Sequence, residues 1–76
     1  MNKQRRQDLL DVSALLSEAS DRLNEIREEE QEAFDNMPEG LQCSSRGETM
    51  QEAIDTMDEW NSDIEDIKSR IEEFAQ

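Results

Sequence analysis

The sequence predicts an all-α fold, an antiparallel two-helix hairpin of the coiled-coil type, and three observations carry the prediction. Two runs of apolar residues recur at gaps that alternate three and four, as helices packed through a narrow seam require. The only proline and one of two glycines interrupt the chain between the runs. The runs are also nearly equal in length, so a short connection folds one back along the other. All 76 residues are expected to form one domain (1–76).

The first run is Leu9, Val12, Leu16, Ala19, Leu23, Ile26, Glu30, Ala33 and Met37, with alternate members at heptad positions a and d. It predicts a helix from about residue 3 to residue 36. Glu30 is the one polar member, either snorkelling to solvent or setting register as a lone polar a residue does.

Residues 37–45 are read as the turn. Pro38 removes a backbone donor and disfavours helical geometry at Met37, and Gly40 permits a positive φ. Leu41 and Cys43 are apolar residues that helical packing does not require there, and they are read as either capping the end of the bundle or marking an exposed partner site. Ser45-Arg46-Gly47-Glu48 and Thr49-Met50-Gln51-Glu52 both have the spacing of a capping box. A start at Ser44 or Ser45 is favoured, because it puts Glu48 in the positive first turn and Gly47 where its helix penalty is smallest.

The second helix is expected over about residues 46–74, with Met50, Ala53, Met57, Trp60, Ile64, Ile67, Ile71 and Phe74 on its stripe. Folding back pairs Ala33 with Ala53, Ile26 with Trp60, Leu23 with Ile64, Leu16 with Ile71 and Val12 with Phe74. Trp60 is read as a core residue that either spreads the helices or projects past the seam. Apolar residues also spill off the stripe, Leu15 at g and Phe34 and Ile54 at e, as happens when a helix touches more than one neighbour. Leu15, Phe34, Ile54 and Trp60 are therefore the expected self-association edge, through which a homodimer would close a four-helix bundle.

Composition limits the partners. The 21 acidic residues outnumber 8 basic ones for a formal charge of −13. Such a chain is repelled by nucleic acid and by anionic membranes, and a basic protein is the charged partner it suits. No apolar stretch approaches the ~20 residues of a membrane span, and the apolar core of a signal peptide is missing. With a single cysteine, Cys43, the expected location is the cytoplasm. The basic residues gather at Lys3, Arg5, Arg6, Lys68 and Arg70, which a hairpin brings together at its open end.

Chemistry has little footing. A di-iron bundle needs inward-facing Glu with Glu-x-x-His pairs, and the chain has no histidine. An EF-hand reading of Asp35, Glu39 and Gly40 fails, because position three is Met37 and position twelve is Arg46. Ser44, Ser45 and Cys43 lack a base, and there is no Gly-rich phosphate loop. No cofactor, metal or catalytic residue is expected, and the expected function is a non-enzymatic protein–protein interaction module. Residues 25–39 hold seven acids and one base, so Glu25, Glu28, Glu29, Glu32, Asp35 and Glu39 form a candidate acidic partner surface.

The stretch Asp35-Asn36-Met37-Pro38-Glu39-Gly40-Leu41-Gln42 with the restart Arg46-Gly47-Glu48-Thr49-Met50, together with the flanking Glu30–Phe34 and Gln51–Asp55, resembles a segment of small acidic hypothetical proteins of bacteriophages and prophages. The resemblance covers about a third of the chain. It implies a helical hairpin of viral source, acting in a host cytoplasm, and assigns no activity to any residue. A small acidic phage protein suggests an alternative function, imitation of the DNA phosphate array to inhibit a host nucleic-acid-binding or defence protein.

Overall fold

A computed structural model describes all of residues 1–76, and the chain is entirely helical and turn. Helix α1 spans Lys3–Asp35, α2 is a single turn at Glu39–Gln42, and α3 spans Ser45–Ala75. The two long helices pack against each other in a rod 58 Å long and 14 by 12 Å across. Ser13 meets Glu72, Ser20 meets Asn61 and Arg27 meets Asp58, so the pairing is antiparallel.

Each boundary has a local cause. Asn2 opens α1, its side-chain oxygen accepting the Arg5 N–H at 2.8 Å and satisfying one of the orphan donors of the first turn. Past Asp35 the helix stops short of Pro38, which in turn opens α2. Its carbonyl accepts from the Leu41 and Gln42 N–H groups at 2.8 and 3.1 Å. Gln42 then reaches back, its amide donating at 3.0 Å to the Phe34 carbonyl, which also accepts the Met37 N–H at 3.1 Å. Ser44 is the N-cap of α3. Its hydroxyl accepts from Gly47 N–H at 3.4 Å and donates to the Leu41 carbonyl. Thr49, the rival start, instead donates to the Ser45 carbonyl from within the helix.

Two expectations about the turn are corrected. It contains a helical turn rather than irregular chain, and neither glycine has a positive φ. Gly40 sits in α2 with nothing close to where a side chain would start. Gly47 is the glycine that matters, because it is buried and the backbone of Gln42 lies against it. A Cβ at position 47 would overlap the Gln42 carbonyl, so the absence of a side chain is what lets α2 dock on the first turn of α3.

The larger correction concerns the phase of the seam. Leu9, Leu16, Leu23, Met50, Met57, Ile64 and Ile71, all in the a row, lie at least half-buried, as expected. Their companions are the e rows and not the d rows. Ser13 (3% exposed), Ser20, Arg27 and Phe34 face Gly47, Ile54 (1%), Asn61, Lys68 and Ala75 across the hairpin. Residues of the d rows, Val12, Ala19, Ile26 and Ala33 with Trp60, Ile67 and Phe74, are exposed, and Ala53 is half-buried. The e rows carry small residues, Ser13, Ser20, Gly47 and Ala75, and Ser13, Ser20 and Arg27 find polar partners across the hairpin. Ser13 donates to Glu72 at 2.7 Å, Ser20 to Asn61 at 3.0 Å, and Arg27 makes a two-pronged contact with Asp58 at 2.9 and 3.3 Å. No buried side-chain polar atom is left without a partner. The indole of Trp60 and the ring of Phe74 would hold the helices apart in the same seam.

Candidate interaction surfaces

The phase of the seam decides what the hairpin shows to its surroundings. On a helix the d row lies about 60° to one side of the a row and the e row about 40° to the other. An antiparallel neighbour is seen from its opposite end, so both d rows emerge on the same broad face of the hairpin. An apolar row runs along that face, bordered by the g rows, where Leu15 stands among the exposed charges Asp8, Arg22, Glu29, Asp63 and Arg70. Trp60 is 54% exposed and Phe74 68%, with Ile26, Ile67 and Val12 between and beside them. At the open end the face deepens into a groove lined by Met1, Leu9, Ile67, Ile71 and Phe74 with Arg70 at its rim, side chains of both long helices meeting in one concavity. The opposite broad face, formed by Ser17, Asn24, Gln31, Gln51, Asp58, Glu65 and Glu72 beside Leu10, is polar.

The four residues expected to form a self-association edge do not sit together. Leu15 (63% exposed) and Trp60 lie on or beside the apolar face and are free to meet another molecule. Phe34 is half-buried near the turn, and Ile54 is the most deeply buried side chain of the chain, held within the hairpin's own seam. Ile54 is therefore a core residue and not an edge. Trp60 is corrected the other way, from core to surface.

All six residues of the candidate acidic surface, Glu25, Glu28, Glu29, Glu32, Asp35 and Glu39, are exposed. The base within that stretch, Arg27, is drawn inward to Asp58 and leaves the outer surface to the acids. Glu25 is paired with Arg22 at 2.9 Å and Asp35 accepts from Gln31 at 2.9 Å. Leu41 and Cys43 are exposed at the turn rather than capping a core. No three His, Cys, Asp or Glu side chains converge to hold a metal ion, and no helix is long and apolar enough to cross a membrane.

No family model, curated protein or solved structure matches this chain. The surfaces themselves are then what a function must use. The apolar face is the d stripe of the sequence, and a row of Val, Ala, Ile and Trp reads as core until a second row is found to fill the seam.

Proposed function

We propose that this chain is a non-enzymatic helical interaction module whose binding surface is the apolar face carried by Val12, Ile26, Trp60, Ile67 and Phe74. The observation behind this reading is the exposure of Val12 and Ile26 on α1 and of Trp60, Ile67 and Phe74 on α3 while serines and an asparagine occupy the seam. Apolar patches of this extent on small proteins mark contact with another macromolecule. Aromatic anchors such as Trp60 and Phe74 supply most of the affinity at such surfaces.

A photoreactive benzophenone residue in place of Trp60 tests the reading in expressing cells. The expected result is a covalent adduct with whichever polypeptide covers the face, and none when the same group replaces Glu28 on the outer, acidic side of α1. Adducts from position 28 with none from position 60 would overturn it.

That outcome would favour the second reading, an acidic DNA-mimic inhibitor of a nucleic-acid-binding protein. It is supported by the six exposed carboxylates between Glu25 and Glu39 and by the withdrawal of Arg27 from their surface. Binding of that kind weakens steeply with salt.

A further inference from the structure

We infer that the occupant of the apolar face is a second copy of this chain, packed head to tail, so that the turn of one hairpin lies beside the open end of the other. The inference rests on the reading that this face binds protein and adds which protein and in what orientation.

Size is the first argument. The broad side of the rod, 58 by 14 Å, projects roughly 800 Å² per copy, of the order that a stable interface takes from each partner.

Side-chain volume supplies the orientation. Ser13 meets Glu72 and Arg27 meets Asp58, so residues of α1 and α3 stand at one height when their numbers add to about 85. A two-fold axis in the plane of the face, perpendicular to the rod at the height of Leu23 and Ile64, lays α1 on the partner's α1 and α3 on the partner's α3. Val12 then faces Ala33, Ala19 faces Ile26, Ala53 faces Phe74 and Trp60 faces Ile67. Three of the four layers match a large side chain with alanine, as interdigitated layers require. The same-end alternative, with both turns together, lays α1 on the partner's α3. It sets Val12 against Phe74 and Ile26 against Trp60, leaves Ala33 against Ala53 as a gap, and matches large with small only at Ala19 and Ile67. Large against large and small against small cannot both be packed at one interhelical distance.

Charge points the same way. Residues 20–62, the half of the rod nearer the turn, hold 13 acids and 3 bases, whereas the open half holds 8 acids and 5 bases. Head-to-tail packing sets each strongly acidic half against a nearly balanced one. Same-end packing doubles the acidic density at one end.

Cys43, the sole cysteine and exposed at the turn, carries the test without any substitution. A nitroxide attached there reports the distance between the two turns by pulsed electron resonance, in samples whose mass by light scattering is twice the chain's 8.9 kDa. Head-to-tail packing of rods this long predicts a distance centred at roughly 50 Å. With helix axes 8–10 Å apart, same-end packing predicts less than roughly 30 Å. The short distance would overturn the inference and leave the proposed function standing. A single-chain mass up to millimolar concentration would overturn it too. A dimer whose mass is unchanged by Trp60→Lys with Ile67→Lys would overturn the inference and the proposed function together.

A second variant reads the layers. Ala53→Phe should weaken the head-to-tail dimer roughly tenfold or more by driving Phe against Phe74, and adding Phe74→Ala should restore it. In the same-end dimer Ala53→Phe fills a gap, so unchanged or tighter association would overturn the inference.

Discussion

Trp60 and Asn61 are neighbours in α3, yet the amide points into the hairpin to accept a hydrogen bond from Ser20 at 3.0 Å while the indole lies 54% exposed on the outer face. The side chain that hydrophobicity would bury is outside, and the one it would expose is inside. Loss of the indole should therefore cost assembly and not fold. Trp60→Ser is expected to keep the helical circular dichroism of the wild-type chain while shifting the mass in solution toward 8.9 kDa. Equal loss of helix and of mass would show the indole to be part of the hairpin core.

Ile54 should behave in the opposite manner. It is 1% exposed, and Ile54→Ala removes buried carbon from the seam with no surface into which the helices can relax. A loss of about 2–4 kcal/mol is expected in urea unfolding, a large part of the stability of a domain this small.

The two glycines separate close approach from helix propensity. Gly47→Ala should destabilise by about 1–3 kcal/mol, despite alanine's better propensity, because the new Cβ meets the Gln42 backbone. Gly40→Ala, in α2 with open space around it, should stabilise by about 0.4–1 kcal/mol. Urea midpoints of the two variants are expected to move in opposite directions.

Salt should strengthen self-association. In the proposed dimer two chains of charge −13 would meet through the apolar face, so raising sodium chloride from 20 to 500 mM would screen their repulsion without disturbing the contact. Sedimentation equilibrium is expected to give a smaller dissociation constant at the higher salt. A larger constant would mean that charge pairing, and not the apolar face, supplies the affinity.

Oxidation offers an inexpensive check of orientation. In a head-to-tail dimer the two Cys43 thiols sit at opposite ends, so a mild oxidant should join dimers end to end into longer species. In a same-end dimer it would lock two chains into one covalent pair. Non-reducing electrophoresis alone shows two linked chains in either case, and light scattering of the oxidised sample distinguishes them.

Both long helices, their antiparallel return and the Ser44 cap are legible in the sequence, because a 3.5-residue period, a proline and a capping hydroxyl each act locally. The phase of the seam is not. Rows a and d and rows a and e are both spaced by alternating threes and fours, and apolarity selects a/d wherever Trp60 and Ile67 outweigh Asn61 and Lys68. What tips the hairpin to a/e is a sum over pairs 41 to 59 residues apart, Ser20 with Asn61 and Ser13 with Glu72, which no single helix displays. The role of Gly47 was hidden for a similar reason, since it depends on where α2 places the Gln42 carbonyl. The six exposed acids were readable directly, because charge at c, f and g positions has nowhere else to go.

The three polar contacts of the seam, at Ser13, Ser20 and Arg27, recur every seven residues along α1. They work as the wards of a key. Sliding one long helix past the other by a turn would unmake all three together, so alignment of the hairpin is specified by groups that contribute nothing to outward adhesion. The exposed apolar side chains stand one row away and have no say in alignment. Drift in the outer row would thus change what the proposed binding face offers while the shape of the rod stays the same.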